Sequence, residues 1–206
     1  GNTLVQTAFS PDGTKTRGTI NNCGNGYTPW GTYLTTEENF NQYLARQKDT
    51  EDGDVRDANT EHALKRYKVN NGARGYNWQS IRNPQIFMPD YFSRWNTVIS
   101  GASEQEDYRN SINTFGWIVE IDPFDNRSMP VKRTALGRFA HEDCRASRAI
   151  AGKPLAFYMG DDSQGEYIYK FVSDTPWNPT DVNGGYAAGD KYMNNGKLYV
   201  AQFDFN

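Results

Sequence analysis

Residues 155–172 read LAFYMGDDSQGEYIYKFV and contain two strand-like runs joined by a single turn. Leu155–Met159 and Tyr167–Val172 are rich in aromatic and β-branched side chains, and the second run alternates in a way that suits one buried and one wetter face. The Gly-Asp-Asp-Ser-Gln-Gly segment at 160–165 is typical of a hairpin turn. The stretch therefore predicts an antiparallel pair of strands.

Further strand candidates lie on both sides of this hairpin. They are Gly31–Thr35, Gly116–Ile121, Val131–Phe139 and Lys197–Phe203. From Gly116 onward the runs follow one another through short loops of Pro, Gly, Asp and Asn, which is the pattern of an antiparallel meander in propellers, sandwiches and barrels. With 36% apolar and 14% aromatic residues, the composition fits a folded domain rather than a disordered chain. We predict an all-β fold.

The pattern changes between Asn39 and Thr114. Helical pieces are predicted around Glu37–Gln47 and Thr60–Lys68, inside a charged stretch with few strand signals. Because this stretch has too few apolar residues for a core of its own, we interpret residues 42–113 as an insertion within one domain that includes residues 1–206. If the fold is a propeller, blades of roughly 40–45 residues require a longer chain. We therefore expect an incomplete domain, inactive and poorly folded by itself.

Charge and hydropathy restrict the possible partners. The net charge is −3, and no Lys/Arg cluster is dense enough for a nucleic-acid surface, so we expect no nucleic-acid partner. No apolar run has the length of a membrane span. The two cysteines, Cys23 and Cys144, allow one disulfide or two free thiols, and their number does not decide between these.

Two segments near the beginning of the chain can carry chemistry. Cys23 lies in a glycine-rich, turn-rich stretch, which allows the close backbone approach of a metal or phosphate site but also fits an inert buried thiol. Glu37 and Glu38 offer one or two carboxylates to Ca2+. Thr35 and Glu38 also have the spacing of a helix-capping box, and spacing alone favours the cap.

Two later segments also present acidic side chains. His141, Glu142 and Asp143 directly follow a predicted strand, where propellers and barrels place functional groups, although a solvated loop would look the same. Asp161 and Asp162 lie in the predicted hairpin turn. A plain turn is the default interpretation of that segment, and a ligand-binding loop is the alternative.

Taken together, these segments resemble one family closely. Arg17–Asn39, Gly116–Glu142 and Phe157–Ser173 resemble the signature blocks of PhoX-type alkaline phosphatases, with TPWGTYLT and EEN in the first, GWIVEIDPFD and PVKRTALGRFAHE in the second, and YMGDD and GEYIYKFVS in the third. The resemblance implies a large β-propeller that hydrolyses phosphomonoesters with a cluster of Fe3+ and Ca2+ ions. It also implies export by the twin-arginine route, to the periplasm or outside the cell. We expect a monomer that acts on small-molecule phosphomonoesters.

The resemblance also implies roles for individual residues. Cys23 is the thiolate ligand of iron, and Glu142 is a carboxylate bound to the metal cluster. Glu38 is a calcium ligand, and Asp161 and Asp162 are the best further candidates for metal binding.

Other positions match the family less closely. Lys15, just upstream of the first block, is the candidate contact for the substrate phosphate. The family often has cysteine where this chain has Thr36, and small residues where it has Asp143 and Cys144. We expect the first difference to touch nothing catalytic, whereas the second places an extra charge and an extra thiol beside Glu142.

The residue types suit the implied reaction. Multivalent metals neutralise a dianionic phosphomonoester and activate an oxygen nucleophile, here expected to be a metal-bridging oxide or hydroxide rather than a side chain. Carboxylates suit Ca2+, and a thiolate suits iron. Two alternatives stay open: a non-catalytic calcium-binding propeller, and a calcium-dependent phosphodiesterase or lactonase on a similar propeller. Because neither needs a thiolate, Cys23 favours the phosphatase.

Overall fold

The computed structural model describes residues 2–46, 55–69, 75–81 and 91–204. Within these ranges, the strands form two four-stranded antiparallel sheets. The first sheet contains β1 (Asn22–Tyr27), β2 (Tyr33–Glu37), β3 (Ile118–Ile121) and β4 (Val131–Lys132), and the second contains β5 (His141–Ala146), β6 (Pro154–Asp161), β7 (Ile168–Pro176) and β8 (Gly196–Val200). The α-helices of the described part of the chain are α1 (Ala58–Arg66) and α2 (Gly185–Met193).

The chain divides into two compact units. One comprises Gly1–Arg17 and Phe40–Phe115, and the other comprises Gly18–Asn39 and Gly116–Asn206. All eight strands and α2 belong to the second unit, whereas α1 belongs to the first. The interpretation of residues 42–113 as an insertion within a single domain remains a prediction.

Each sheet is a simple meander, with neighbouring strands in chain order. Four-stranded antiparallel meanders are the repeating unit of β-propellers. The predicted all-β class is confirmed, and the two meanders fit a propeller-like fold, although the described residues do not close into a ring. Among those residues, no helix has the length and apolar character needed to cross a membrane.

The two sheets share one hydrophobic core. Inward-facing side chains of both sheets meet there, including Leu34, Ile118, Cys144, Phe157 and Phe171. Alternate residues of a strand point to the same face, so each strand contributes one set of side chains to this core.

A buried ionic network attaches α2 to the first sheet. Arg133, which is 1% exposed, pairs with the fully buried Glu120 of β3 and with Asp190 of α2. Trp30 Nε1 donates a hydrogen bond of 2.8 Å to Glu120, and the hydroxyl of Thr32 donates another. A buried charge is costly unless it is paired and hydrogen-bonded, and here the partners come from the β1–β2 loop, from β3, from the residue after β4 and from α2.

Most of the predicted strands are present. The runs that begin at Gly31, Gly116, Leu155, Tyr167 and Lys197 overlap β2, β3, β6, β7 and β8. The run predicted at Val131–Phe139 is wrong beyond Lys132, because β4 ends there and a 3₁₀ turn follows. Two strands, β1 and β5, and the helix α2 are missing from the sequence prediction. His141, Glu142 and Asp143 thus lie within a strand, not after one.

The two helix predictions have opposite outcomes. The helix around Thr60–Lys68 is confirmed as α1, whose N-cap Asp57 accepts hydrogen bonds from two amides of the first turn. The helix around Glu37–Gln47 is wrong in its described part: Glu37 ends β2, and only a 3₁₀ turn follows at 40–43, while residue 47 lies outside the described residues. Thr35 is a β2 residue, so the capping box is wrong as well.

Candidate metal centre

A β-bulge in β1 carries Cys23. Asn22 pairs with Glu37 and Asn25 pairs with Thr35, so Cys23 and Gly24 together face a single residue of β2. An extra residue of this kind bends a strand and re-aims its side chains, and bulges are frequent beside functional sites. The bulge therefore decides where the thiol of Cys23 points.

A second bulge, in β5, carries Glu142. His141 pairs with Asp161 and Cys144 pairs with Met159, so Glu142 and Asp143 together face a single residue of β6. Cys23 and Glu142 thus occupy equivalent places: each is the first bulged residue in the first strand of its sheet.

Glycines allow the two bulged strands to touch. A Cβ atom at Gly24 would lie 2.6 Å from the carbonyl carbon of Glu142, and one at Gly26 would overlap the carbonyl oxygen of Cys144. Only glycine permits main chains to approach this closely. The glycines around Cys23, interpreted from sequence as turn residues, instead form the contact between β1 and β5.

Glu38 reaches the same place from the end of β2. Its amide donates a hydrogen bond of 3.1 Å to the carbonyl of Asn21, and the next amide, of Asn39, donates one of 2.9 Å to Oδ1 of Asn21. Asn21 has a φ of 49°, a left-handed conformation that asparagine tolerates better than most residues. These two hydrogen bonds hold the Glu38 segment against the residue that precedes β1.

Ligating atoms of Cys23, Glu38 and Glu142 all lie within 4.8 Å of one another. Cys23 Sγ is 4.0 Å from Oε1 of Glu142. Glu38 is 8% exposed, while Cys23 is open to solvent. A thiol and two carboxylates at these separations can share one cation or a small cluster, and both donor types suit the ions implied by the sequence resemblance.

The adjacent Glu37 has a different role. It is fully buried and accepts hydrogen bonds from the amides of Gly116 and Trp117, at 2.9 and 3.1 Å, and from Nζ of Lys132 at 2.9 Å. These bonds tie β2 to the segments on either side of β3. Of the two adjacent carboxylates, the structure therefore brings only Glu38 to the cluster.

The cluster is electrostatically unfavourable without a cation. A hydrogen bond to Glu38, partial burial and the charges of Glu38, Glu142 and Asp162 raise the pKa of Cys23 to about 11. Desolvation, followed by the charges of Glu38, Asp162 and Asp143, raises the pKa of Glu142 above its usual range. The surrounding acids thus oppose the ionisation of Cys23 and Glu142, and a multivalent cation would remove that opposition.

The two aspartates of the predicted hairpin differ in their surroundings. The segment is a turn, as expected by default. Asp162 is exposed, and its charge acts on both Cys23 and Glu142; its amide donates a hydrogen bond of 3.0 Å to the carbonyl of Ala140, next to β5. Asp161 ends β6 and accepts a hydrogen bond of 3.0 Å from the amide of Ser163.

Lys15 belongs to the first unit, on the exposed segment that follows Pro11–Gly13. Its amide donates a hydrogen bond of 3.0 Å to the hydroxyl of Ser10. Its contact with a substrate phosphate remains a prediction.

Both cysteines are free thiols, so the structure contains no disulfide between Cys23 and Cys144. Cys144 is fully buried in the core, and this burial raises its pKa far above that of an ordinary thiol. His141 is also fully buried; burial lowers its pKa to about 3, its Nε2 lies 3.0 Å from the carbonyl oxygen of Gly137, and its ring packs on Phe139. We interpret His141 as a neutral support for the beginning of β5.

Three residues shape the centre through hydrogen bonds that the sequence did not indicate. Asn21 holds the Glu38 segment, Thr36 accepts a hydrogen bond of 2.7 Å from the amide of Gly24, and Asp143 accepts one of 2.9 Å from the amide of Asn25. The available signal was the spacing of Gly24 and Gly26, because glycines two apart on one face of a strand mark a close backbone approach.

Together, the sheets and the cluster define a propeller-type β protein with a candidate metal centre between the first strands of two adjacent meanders. The family model for alkaline phosphatase PhoX matches residues 1–206, and the chain belongs to that family. The resemblance seen in the sequence is thereby confirmed.

One solved structure shows the likeness in three dimensions. It is Pseudomonas fluorescens PhoX in complex with vanadate, a transition state analogue, with 39% sequence identity and a TM-score of 0.75. The match covers 98% of this chain and 30% of that chain. Comparison with curated proteins gave no significant match.

Proposed function

We propose that the protein is an alkaline phosphatase that hydrolyses phosphomonoesters at a centre of Fe3+ and Ca2+ held by Cys23, Glu38 and Glu142. The observation that carries the proposal is the convergence of these three side chains within 4.8 Å, from two strands of different sheets and the end of a third strand. Family membership and the vanadate complex of the Pseudomonas protein support the reaction class.

Each residue of the cluster has a distinct task in this proposal. The thiolate of Cys23 binds iron, and the carboxylate of Glu38 binds calcium, in accordance with the preferences of soft and hard ions. Glu142, with its Oε1 4.0 Å from Cys23 Sγ, would supply a carboxylate ligand beside the thiolate. The thiol of Cys23, whose pKa is raised to about 11, must lose its proton on metal binding, so loading the centre releases a proton.

The proposal extends to residues outside this group. Asp162, whose charge already acts on Cys23 and Glu142, adds a calcium ligand, and Asp161 is the adjacent candidate. Lys15 contacts the phosphate of the substrate. When bound, the metal ions supply charge neutralisation at the phosphoryl oxygens and an activated oxygen nucleophile. We also propose that the protein is exported to the periplasm or secreted, and that it is a monomer.

The position of the thiol separates this function from the alternatives. A non-catalytic calcium-binding propeller, or a calcium-dependent phosphodiesterase or lactonase, needs oxygen ligands alone. Here Cys23 Sγ is one of the three converging atoms. That placement supports a centre with iron as well as calcium.

Metal content and turnover, measured in the same preparations of the full-length enzyme, test the proposal. Glu142→Gln is nearly isosteric but removes the charge, and we expect it to lose bound metal and p-nitrophenyl phosphate hydrolysis together. The matched control is Asp125→Asn, an exposed acid in the turn after β3, which should retain both. Full metal content and activity in Glu142→Gln would overturn the proposed centre.

A further inference from the structure

Two neighbouring amides in the β1 bulge are held by side chains instead of by the regular sheet ladder. Thr36 Oγ1 accepts a hydrogen bond of 2.7 Å from the amide of Gly24, and Asp143 Oδ1 accepts one of 2.9 Å from the amide of Asn25. A bulge interrupts the ladder, and its main-chain donors need other acceptors. The two donor residues, Gly24 and Asn25, directly follow Cys23 in the chain.

The two acceptors come from the segments that carry the other cluster residues. Thr36 lies on β2, two residues before Glu38, and Asp143 directly follows Glu142 in the β5 bulge. One bond therefore ties the backbone beside Cys23 to the Glu38 segment, and the other ties it to the Glu142 strand.

We infer that Thr36 and Asp143 are positioning residues that fix the β1 bulge and thereby set the distances from Cys23 Sγ to the carboxylates of Glu38 and Glu142. The inference rests on the proposed metal centre. It assigns a role to Thr36, which the sequence analysis expected to touch nothing catalytic.

Both side chains are held firmly enough for this task. Thr36 is fully buried, so its removal would leave the Gly24 amide short of an acceptor at an energetic cost. Asp143 is held at both ends, because its Oδ2 accepts a hydrogen bond of 2.9 Å from Arg145 while Oδ1 binds the Asn25 amide.

Asp143 has two separable effects on the centre. Its negative charge raises the pKa of Glu142, whereas its Oδ1 holds the β1 amide. Asp143→Asn removes the charge and keeps an acceptor, while Asp143→Ala removes both. Thr36→Ser keeps the hydroxyl, and Thr36→Val removes it at nearly constant shape.

The experiment compares these four variants for iron and calcium affinity, by competition with chelators, and for amide hydrogen exchange over residues 22–27 in the metal-free protein. We expect Asp143→Ala and Thr36→Val to bind metal about 10-fold to 100-fold more weakly, as for other residues that orient metal ligands. In both variants the amide hydrogens of the β1 bulge should also exchange faster. Thr36→Ser should stay within about twofold of the wild type, because it keeps the hydroxyl, and Asp143→Asn, which keeps one acceptor oxygen but loses the charge, should lose less affinity than Asp143→Ala.

The matched control is Asp122→Ala. Asp122 Oδ1 also accepts a hydrogen bond from a nearby amide, that of Phe124 at 3.0 Å, but in the turn after β3. Its loss should leave both readouts unchanged. Equal losses in Asp143→Asn and Asp143→Ala would assign the effect to charge and overturn the positioning role, as would unchanged affinity in Asp143→Ala.

Failure of the proposed function has a separate signature. If the wild-type protein binds neither ion, the metal centre is wrong, and amide exchange alone decides the inference. Faster amide exchange in Thr36→Val and Asp143→Ala, but not in Thr36→Ser and Asp143→Asn, would then support the inference that these two side chains fix the β1 bulge. Unchanged exchange would overturn it.

Discussion

Sγ of Cys23 lies 4.0 Å from Oε1 of Glu142, although 119 positions separate the two residues in the chain. Both side chains emerge from bulges at equivalent places in the first strands of two meanders. The two strands can approach because β1 presents glycine to the main chain of β5. The candidate centre thus depends on the contact between the two sheets.

Replacement of Cys23 by alanine should remove iron, colour and turnover together. A ferric thiolate absorbs visible light by charge transfer from sulfur, and the cluster would lack its soft ligand. We expect turnover to fall by more than about 100-fold, a larger loss than outer residues of metal sites cause. The measurements are the visible spectrum, the iron content and p-nitrophenyl phosphate hydrolysis.

The control for this variant is Cys144→Ala, which alters the other thiol, fully buried in the core. It should lower stability but keep colour and iron. A colourless and fully active Cys23→Ala variant would contradict the iron assignment. A Cys23–Cys144 crosslink in active enzyme, detected by mass spectrometry without reduction, would contradict it as well.

Calcium removal should abolish the activity of the full-length enzyme reversibly. The carboxylates of Glu38 and Glu142 lie in one cluster and the charge of Asp162 acts on Glu142, and hard oxygen ligands of this kind bind Ca2+. A calcium-selective chelator should stop p-nitrophenyl phosphate hydrolysis, and added Ca2+ should restore it. If prolonged dialysis against the chelator removes calcium from the protein, as shown by elemental analysis, and activity persists, calcium has no role in turnover.

Alanine at Gly24 or Gly26 should push the two bulged strands apart. The new methyl group would meet the main chain of Glu142 or Cys144, and backbone cannot yield cheaply. We expect each variant to lose about 1–3 kcal/mol of unfolding free energy, the usual cost of overpacking. Urea unfolding of the metal-free protein measures this loss.

Gly160→Ala is the matched glycine control. It lies on β6 opposite the β5 bulge, but a Cβ there would only make an ordinary contact of 3.6 Å with the Cβ of Glu142. Its stability should change by no more than about 0.5 kcal/mol. Equal stability of the Gly24, Gly26 and Gly160 variants would show that the strands do not depend on the glycine contact.

Glu37 and Glu38 should behave differently when each is changed to glutamine. Glu37→Gln leaves the amine of Lys132, which is 12% exposed, without its charged partner, and breaking such a buried pair costs about 3–5 kcal/mol. Glu38→Gln should keep its unfolding free energy in the metal-free protein but bind calcium more weakly. Urea unfolding and calcium titration of both variants check the division of roles, and a Glu37→Gln variant of native stability would refute it.

The parts of this fold that followed from sequence are those with strong local signals. The hairpin of β6 and β7 combines apolar alternation with a turn of glycine and aspartate, and α1 begins at a capping aspartate. These patterns act over a few residues. They therefore point to the correct structure before any long-range contact is considered.

The strands of the candidate centre have no such local signal. Asn22–Tyr27 consists mostly of asparagine and glycine, and His141–Ala146 is mostly polar, so both have poor strand propensity. They become strands because each is paired with a stronger neighbour and because glycine lets their main chains touch. Tertiary contact outweighs local preference here.

By itself, the sequence determined the all-β class, the family and the identity of Cys23, Glu38 and Glu142 as candidate ligands, because long motifs and alternating runs are properties of contiguous residues. Only the tertiary structure decided that the adjacent Glu37 is buried in a pair with Lys132, that both bulges aim their side chains at one point, and that Thr36 and Asp143 hold the backbone there. Bulge geometry and contacts across 119 positions arise from the packing of one sheet on another, and a linear pattern does not contain them.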